Sequence, residues 1–471
     1  MREKVTNFFK LHEKNIKYYT ASSVVSLLAA FVICSLFFYN RIVILWKDPI
    51  NSAFLLTCLS VTLLFVATAV LCNKKPCIFR CARSIFTVFQ KDKLTLCGLI
   101  CGAVVFILIF CYTVRMPLDY GAHTNLAVSF DFSKLVDSLN ENSYPLWHIF
   151  VKLFSLLLPV PHKYCAALTS ALFVLLTYRV TEKLIRELAS NSFAKSFAPL
   201  FAAALTFVQP IYIPWFNKEQ VFGQGSPNVF YNPTTIAAKP FAILCVYLLL
   251  KLWEKRKANE ISVTDYVRLA VFALLSVVAK PSAIQVILPT LSIFLLCYLV
   301  YSKGKAFMFC LKTALAWLPA LSWMAVVFYL SFVSQSTSDG NSIALSFFNV
   351  WSVYSPCIPV SILLAALFPL AVFAVFGRNG TDLGKQGTLF GAVCLLMGIL
   401  EYGLIMETGD RMLHGNFSWG YIIGLGVFWT FATGHLLELK GQSRKKPLWI
   451  ILTALFAVHL VFGIYYFVNT I

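Results

Sequence analysis

Charge is scarce in this chain of 471 residues: Asp, Glu, Lys and Arg make up 13%, against 59% hydrophobic residues. A soluble domain with one core needs far more wetted surface, so that class is excluded. Acids are the scarcer sign, 20 against 39 Lys and Arg, giving a formal charge of +19 and a pI near 9.3. Also missing are a phosphate-cradling glycine loop, a tandem repeat and any Pro or Ser tract. Those absences remove support for cytoplasmic nucleotide hydrolysis, for a solenoid and for a second soluble domain. The fourteen cysteines form no paired framework, so they read as packing residues.

What is present is a succession of apolar runs. Each crossing of the hydrocarbon core takes roughly 20 residues of helix, because every backbone polar group must be satisfied internally. The runs predict spans near 21–39, 51–71, 95–114, 164–180, 196–213, 235–250, 268–282, 284–301, 312–332, 359–376, 387–405, 419–437 and 447–467. The first run, preceded by twenty polar and basic residues, reads as an anchor and not a removed signal, with Met1 to Tyr19 along the cytoplasmic lipid surface. Of the 39 basic residues, 29 fall in seven alternate segments, the pattern of short cytoplasmic loops. The expected fold is thus an all-α polytopic membrane protein with about 13 transmembrane helices and a cytoplasmic N-terminus. Interfacial helices are expected in the outer loop 115–163. The basic residues form no single stripe, which argues against nucleic acid.

Three regions follow: an amphipathic segment and two-span hairpin at 1–94, a core at 95–305 with outer loops 115–163 and 214–234, and a C-terminal bundle at 306–471 with outer loops 333–358 and 406–418. The outer loops carry the chemistry-bearing residues. Asp119 follows the third apolar run beside Arg115 and His123; with a turn at Gly121 leading into a helix, it either caps that helix or acts as a general base. His123 could orient it, help hold a metal, or do neither. Ser143-Tyr144-Pro-Leu-Trp147-His148 leads into eight or nine apolar residues, too few to cross a bilayer and suited to a half-inserted helix anchored by Tyr144 and Trp147 at headgroup depth.

The loop 214–234 offers Gln224, Asn228 and Asn232 among aromatics, a set that either binds a sugar or forms an interfacial belt. Residues 237–243 and 278–284 share Ala-Lys-Pro-x-Ala-Ile, so Lys239 and Lys280 sit at similar depth in two apolar runs. A cation at membrane depth costs about 2.5–3.5 kcal/mol at the helix centre, and so faces a cavity, pairs with an anion such as lipid phosphate, or snorkels. Asp410, Arg411, His414 and Asn416 crowd the last outer loop, where they either grip phosphate or sugar or form a turn of their own.

An acid shortly after a span, a loop helix, then Tyr-Pro-Leu-Trp-His before the next span resembles the GT-C superfamily, the multi-span glycosyltransferases that use polyprenyl-phosphate-linked sugars. The resemblance covers about residues 95–305. In most members the loop follows the first span, whereas here it follows the third; many carry neighbouring acids, whereas here Tyr120 follows Asp119 and the next acid is Asp131. The resemblance implies an inverting transferase in the plasma membrane of a bacterium, with its site outside. Asp119 and His123 would be catalytic. Arg115, Tyr144, His148, Gln224, Asn228, Asn232, Lys239, Lys280, Arg411, His414 and Asn416 would bind substrate. Expected partners are the lipid-linked sugar, the bilayer and a glycan, lipid or protein acceptor; no cofactor is expected, and a divalent metal is not required. The alternatives are a transporter or flippase of a lipid-linked glycan, and a surface-polysaccharide polymerase or ligase.

Overall fold

Apolar runs of about 20 residues close their own hydrogen bonds as helices, and helices dominate the structure. A computed structural model describes residues 93–116, 118–188, 191–213, 219–333, 342–377, 379–441 and 446–469. The expected spans 21–39 and 51–71, the surface stretch 1–19 and nearly all of region 1–94 lie outside the described residues.

In chain order, α1 (Lys93–Arg115) leads to the loop helices α2 (Leu118–Ser129), α3 (Leu135–Glu141) and α4 (Leu146–Leu157). Then come α5 (His162–Leu188), α6 (Ser192–Phe207), α7 (Pro233–Ala258), α8 (Val263–Ala279) and α9 (Ser282–Tyr301). The C-terminal part holds α10 (Phe307–Leu315), α11 (Leu318–Phe328), α12 (Asn349–Tyr354), α13 (Ile358–Phe376), α14 (Asp382–Leu404), α15 (Ser418–Glu438) and α16 (Lys446–Asn469). Strands β1 (Ile343–Leu345) and β2 (Ile405–Glu407) pair antiparallel, with Ile343 opposite Glu407. Among the described residues, eight helices are long and apolar enough to cross a membrane, and α10 with the run Leu318–Val333 forms a ninth candidate bent by 44°. The chain is an all-α polytopic membrane protein.

Two expected spans come out short. Helix α6 has 16 residues and ends before Gln209, whose N–H donates to His459 O of α16. The chain leaves the helix at Val208 (φ −60°, ψ 141°), two residues ahead of Pro210, which keeps Gln209 from resuming it. Helix α8 has 17 residues and stops at Ala279, because Pro281 drives Lys280 into an extended conformation (φ −168°, ψ 130°). Lys280 therefore stands in a break between two helices, not inside a continuous span.

Helix α15 is the centre of the bundle, with all 21 of its residues buried. Such a helix can approach its neighbour only through small residues. A Cβ added at Gly398 of α14 would lie 2.5 Å from the Tyr421 Cα, and one at Gly424 of α15 would lie 2.6 Å from the Cys394 carbonyl oxygen. These contacts fix α14 against α15. The N-terminal end of α15 is thereby held beside the loops that carry the polar residues.

Candidate active site

Asp119 lies in the first turn of α2. The turn expected at Gly121 is absent, since the helix has already begun at Leu118. The Asp119 carboxylate also does not cap its own helix among the described residues: Oδ2 accepts a hydrogen bond from Asn232 Nδ2 at 2.9 Å, 113 residues away. Asn232 is the N-cap of α7, followed by Pro233 at the first helical position. Its Oδ1 accepts from Thr235 N (3.0 Å), Thr235 Oγ1 (2.7 Å), Thr234 Oγ1 (3.0 Å) and Lys280 Nζ (3.0 Å). With the oxygen so engaged, the amide N–H₂ must face Asp119. One side chain thus joins a carboxylate to an ammonium.

Lys280 is 6% exposed and also donates to Thr234 Oγ1 at 3.2 Å. Its Nζ lies 4.1 Å from the ring centroid of Trp419, at the start of α15. A buried cation is costly without a counter-charge, and here the aromatic face, two polar oxygens and the carboxylate beyond Asn232 supply partial compensation.

Lys239 behaves differently. Pro240 lies inside α7 and the helix continues through it, so Lys239 stays helical. Its Nζ donates to Pro227 O at 2.6 Å and to Asn228 Oδ1. It lines a small cavity of about 30 Å³ with Thr177, Thr206, Thr235 and Ile422. Among the described residues the two lysines share no hydrogen-bond partner. Lys239 approaches Gly426 and Lys280 approaches Trp419, seven residues or about 10 Å apart along α15.

Gln224 and Asn228 bind protein. Gln224 Nε2 donates to Ile211 O at 2.8 Å, and Asn228 Nδ2 donates to Leu205 O and Val208 O, both at 2.8 Å. They hold the loop down, together with Gly225, whose φ of +85° and contact with the Tyr421 ring leave no room for a side chain. Residues 214–218 of this loop are outside the described residues.

On the other wall, Trp147 is fully buried, and its indole N–H donates to Ser170 Oγ at 3.0 Å. It is not the headgroup anchor expected from sequence, because α4 turns Leu146, Trp147, His148 and Val151 inward and leaves Phe150, Leu153, Leu156 and Leu157 exposed. His123, one turn beyond Asp119, packs against Trp147 and hydrogen-bonds His148, Nδ1 to Nε2, at 2.9 Å. Asn142 Nδ2 lies 2.6 Å from His148 Nδ1. Burial, helped by the Lys280 charge, pushes the His123 pKa down to about 4, and burial holds His148 well below the usual histidine range.

The late loop approaches through Tyr144. Burial raises its phenol pKa, and the charges of Arg411, Glu407 and Asp119 all reach it. Arg411 Nη2 lies 3.3 Å from Glu407 Oε1, and Asn416 Nδ2 donates to Glu407 Oε2. His414 is exposed, and Arg115 closes α1 half-buried. Among the described residues no three His, Cys, Asp or Glu side chains gather to hold a metal ion.

Asp119, Asn232, Lys280, His123 and His148 thus come together, with Tyr144 and Arg411 at one side; Lys239, Gln224 and Asn228 form a separate network. Sequence reasoning missed Asn142, Trp419, Thr234 and Glu407. The Asn-Pro-Thr-Thr run was a readable N-cap signal for Asn232 and its threonines. The pairings across 113 and 48 residues had none. No protein-family model matches the chain, and no curated protein matches it.

Proposed function

We propose that this protein is a GT-C-like glycosyltransferase that takes its sugar from a polyprenyl-phosphate carrier on the extracytoplasmic face. The observation that carries the reading is the line Asp119–Asn232–Lys280, a carboxylate and a buried ammonium held by one amide. An inverting displacement needs those two groups: a base for the acceptor hydroxyl and a cation for the departing phosphate. In this scheme Asp119 removes the hydroxyl proton, the oxygen attacks the anomeric carbon, and the C–O bond to the lipid phosphate breaks with inversion. Lys280 stabilises the phosphate as its charge grows, with Arg411 and Tyr144 on the sugar side. The exposed apolar face of α4 suits an interfacial helix along which a lipid could approach. The 13-span topology with an inside N-terminus follows from the basic-residue pattern and belongs to the same proposal.

The test supplies membranes containing the protein with radiolabelled polyprenyl-phosphate sugars and follows free polyprenyl phosphate and product. Asp119→Asn keeps shape and its contact with Asn232 but loses the base, and transfer should fall by about 10²- to 10⁴-fold at unchanged expression. Wild-type transfer by this variant would remove Asp119 from the mechanism. Movement of intact donor across the bilayer with no polyprenyl phosphate released would replace the transferase with a transporter.

A further inference from the structure

A buried histidine, a half-buried one and a buried asparagine lie beside Asp119, and the chemistry of their atoms fixes a direction. An Asn Nδ2 can only donate. Its 2.6 Å contact therefore makes His148 Nδ1 an acceptor, which puts the proton of a neutral His148 on Nε2. That Nε2–H donates to His123 Nδ1 at 2.9 Å, so a neutral His123 also carries its proton on Nε2. Burial keeps both rings neutral, Asn142 is 6% exposed and His148 0%. Asp119 and His123 are four residues apart on α2 and so share one face of it.

We propose that Asn142, His148 and His123 form a one-way hydrogen-bond relay that presents a single neutral N–H, at His123 Nε2, to a lone pair of the acceptor oxygen beside Asp119. The identity of that oxygen rests on the transferase reading. His123 is then a substrate-touching donor, and Asn142 and His148 are positioning residues. The arrangement selects the class of acceptor. A hydroxyl can give its proton to Asp119, accept from His123 on one lone pair and attack with the other. A neutral amine has one lone pair, and an N–H that occupies it blocks attack. The acceptor is accordingly a hydroxyl compound, a sugar or another alcohol, and not an amine.

Magic-angle-spinning NMR of the full-length protein, ¹⁵N-labelled at histidine in lipid bilayers at pH 7, reads the relay without any activity. Signals are assigned by loss in His123→Gln and His148→Gln. Both residues should show a pyridine-type Nδ1 and a pyrrole-type Nε2. A pyrrole-type Nδ1 on His148 in the wild type would mean that Asn142 presents its oxygen, reversing every proton in the relay, and would overturn the proposal. Asn142→Asp, which can only accept, must move a proton onto His148 Nδ1; an unchanged Nδ1 signal overturns control by Asn142. In the transfer assay, His123→Gln keeps a donor near the Nε2 position and should retain most kcat/KM. His123→Leu should lose about 10- to 100-fold, the effect of one buried hydrogen bond. Equal losses in both variants, or transfer to amines as fast as to hydroxyls, would overturn the donor role. Asp119→Asn separates the two readings: transfer that depends on Asp119 but not on His123 leaves the transferase and removes the relay's substrate. No transfer from any donor removes the acceptor assignment with the transferase, and the NMR arm then decides the relay alone.

Discussion

The two copies of Ala-Lys-Pro-x-Ala-Ile have one sequence and two structures. At 238–243 the proline lies within α7, the lysine remains helical, and its ammonium ties down a loop through Pro227 and Asn228. At 279–284 the proline ends α8, the lysine is extended, and its ammonium reaches the cap of α7 and the face of Trp419. Context decides which way the motif goes. Helix α7 enters its motif six residues after a firm Asn-Pro cap, whereas α8 reaches its motif at its last turn, where nothing opposes the proline's effect on the residue before it. A lysine's neighbours in sequence thus say little about its role; the backbone state at that residue says more.

The largest effect expected from this contrast is on turnover. If only Lys280 faces the departing phosphate, Lys280→Gln should lower kcat by about 10²- to 10³-fold with a smaller change in KM, because the charge matters most in the transition state. Lys239→Gln should stay within about threefold of wild-type kcat and instead lower the thermal midpoint, since it loosens the 225–228 loop. Similar kcat losses in both would break the distinction. The double variant provides a sharper measurement: with no shared partner, the two losses in activation free energy should add within about 0.5 kcal/mol, and strong non-additivity would show that the lysines act on one group.

Pro281→Ala removes the reason for the break and lets α8 continue into Lys280. Turnover should fall by about tenfold, as the ammonium is drawn from Asn232, with the helical content unchanged or slightly higher by circular dichroism. The smallest effect is on stability against acid. His123 and His148 are held neutral in the fold, so the unfolded chain binds more protons below its own histidine pKa near 6.5, and stability falls as pH drops from about 6.5 towards 4. That loss should be reduced in His123→Gln and unaltered in Lys239→Gln, as measured by denaturation midpoints across this window.

Hydropathy made most of the membrane-crossing helices legible, because roughly 20 apolar residues can form little else in a bilayer. It overextended α6 and α8, which stop just ahead of Pro210 and Pro281 while the apolar runs go on. Asp119 was legible as a residue at a helix start, but not as the partner of Asn232, since a hydrogen bond across 113 residues leaves no periodic trace. Trp147 shows the converse error: a tryptophan in an outer loop reads as a membrane anchor, yet Ser170 offers its N–H an internal acceptor and the ring goes inside. His414 and Asn416 were singled out by their crowding with Asp410 and Arg411 in the last outer loop; His414 is exposed, and Asn416 is bound to Glu407.

The full enclosure of α15 has a consequence for biogenesis. This helix is made before α16, whose Phe456 and His459 rings pack against Trp429. Until α16 arrives, that flank of α15 is uncovered, and the Gln209 backbone lacks the His459 groups that satisfy it. A nascent chain halted before residue 446 would therefore present a tryptophan-bearing flank and unpaired peptide groups, the kind of surface on which quality control acts.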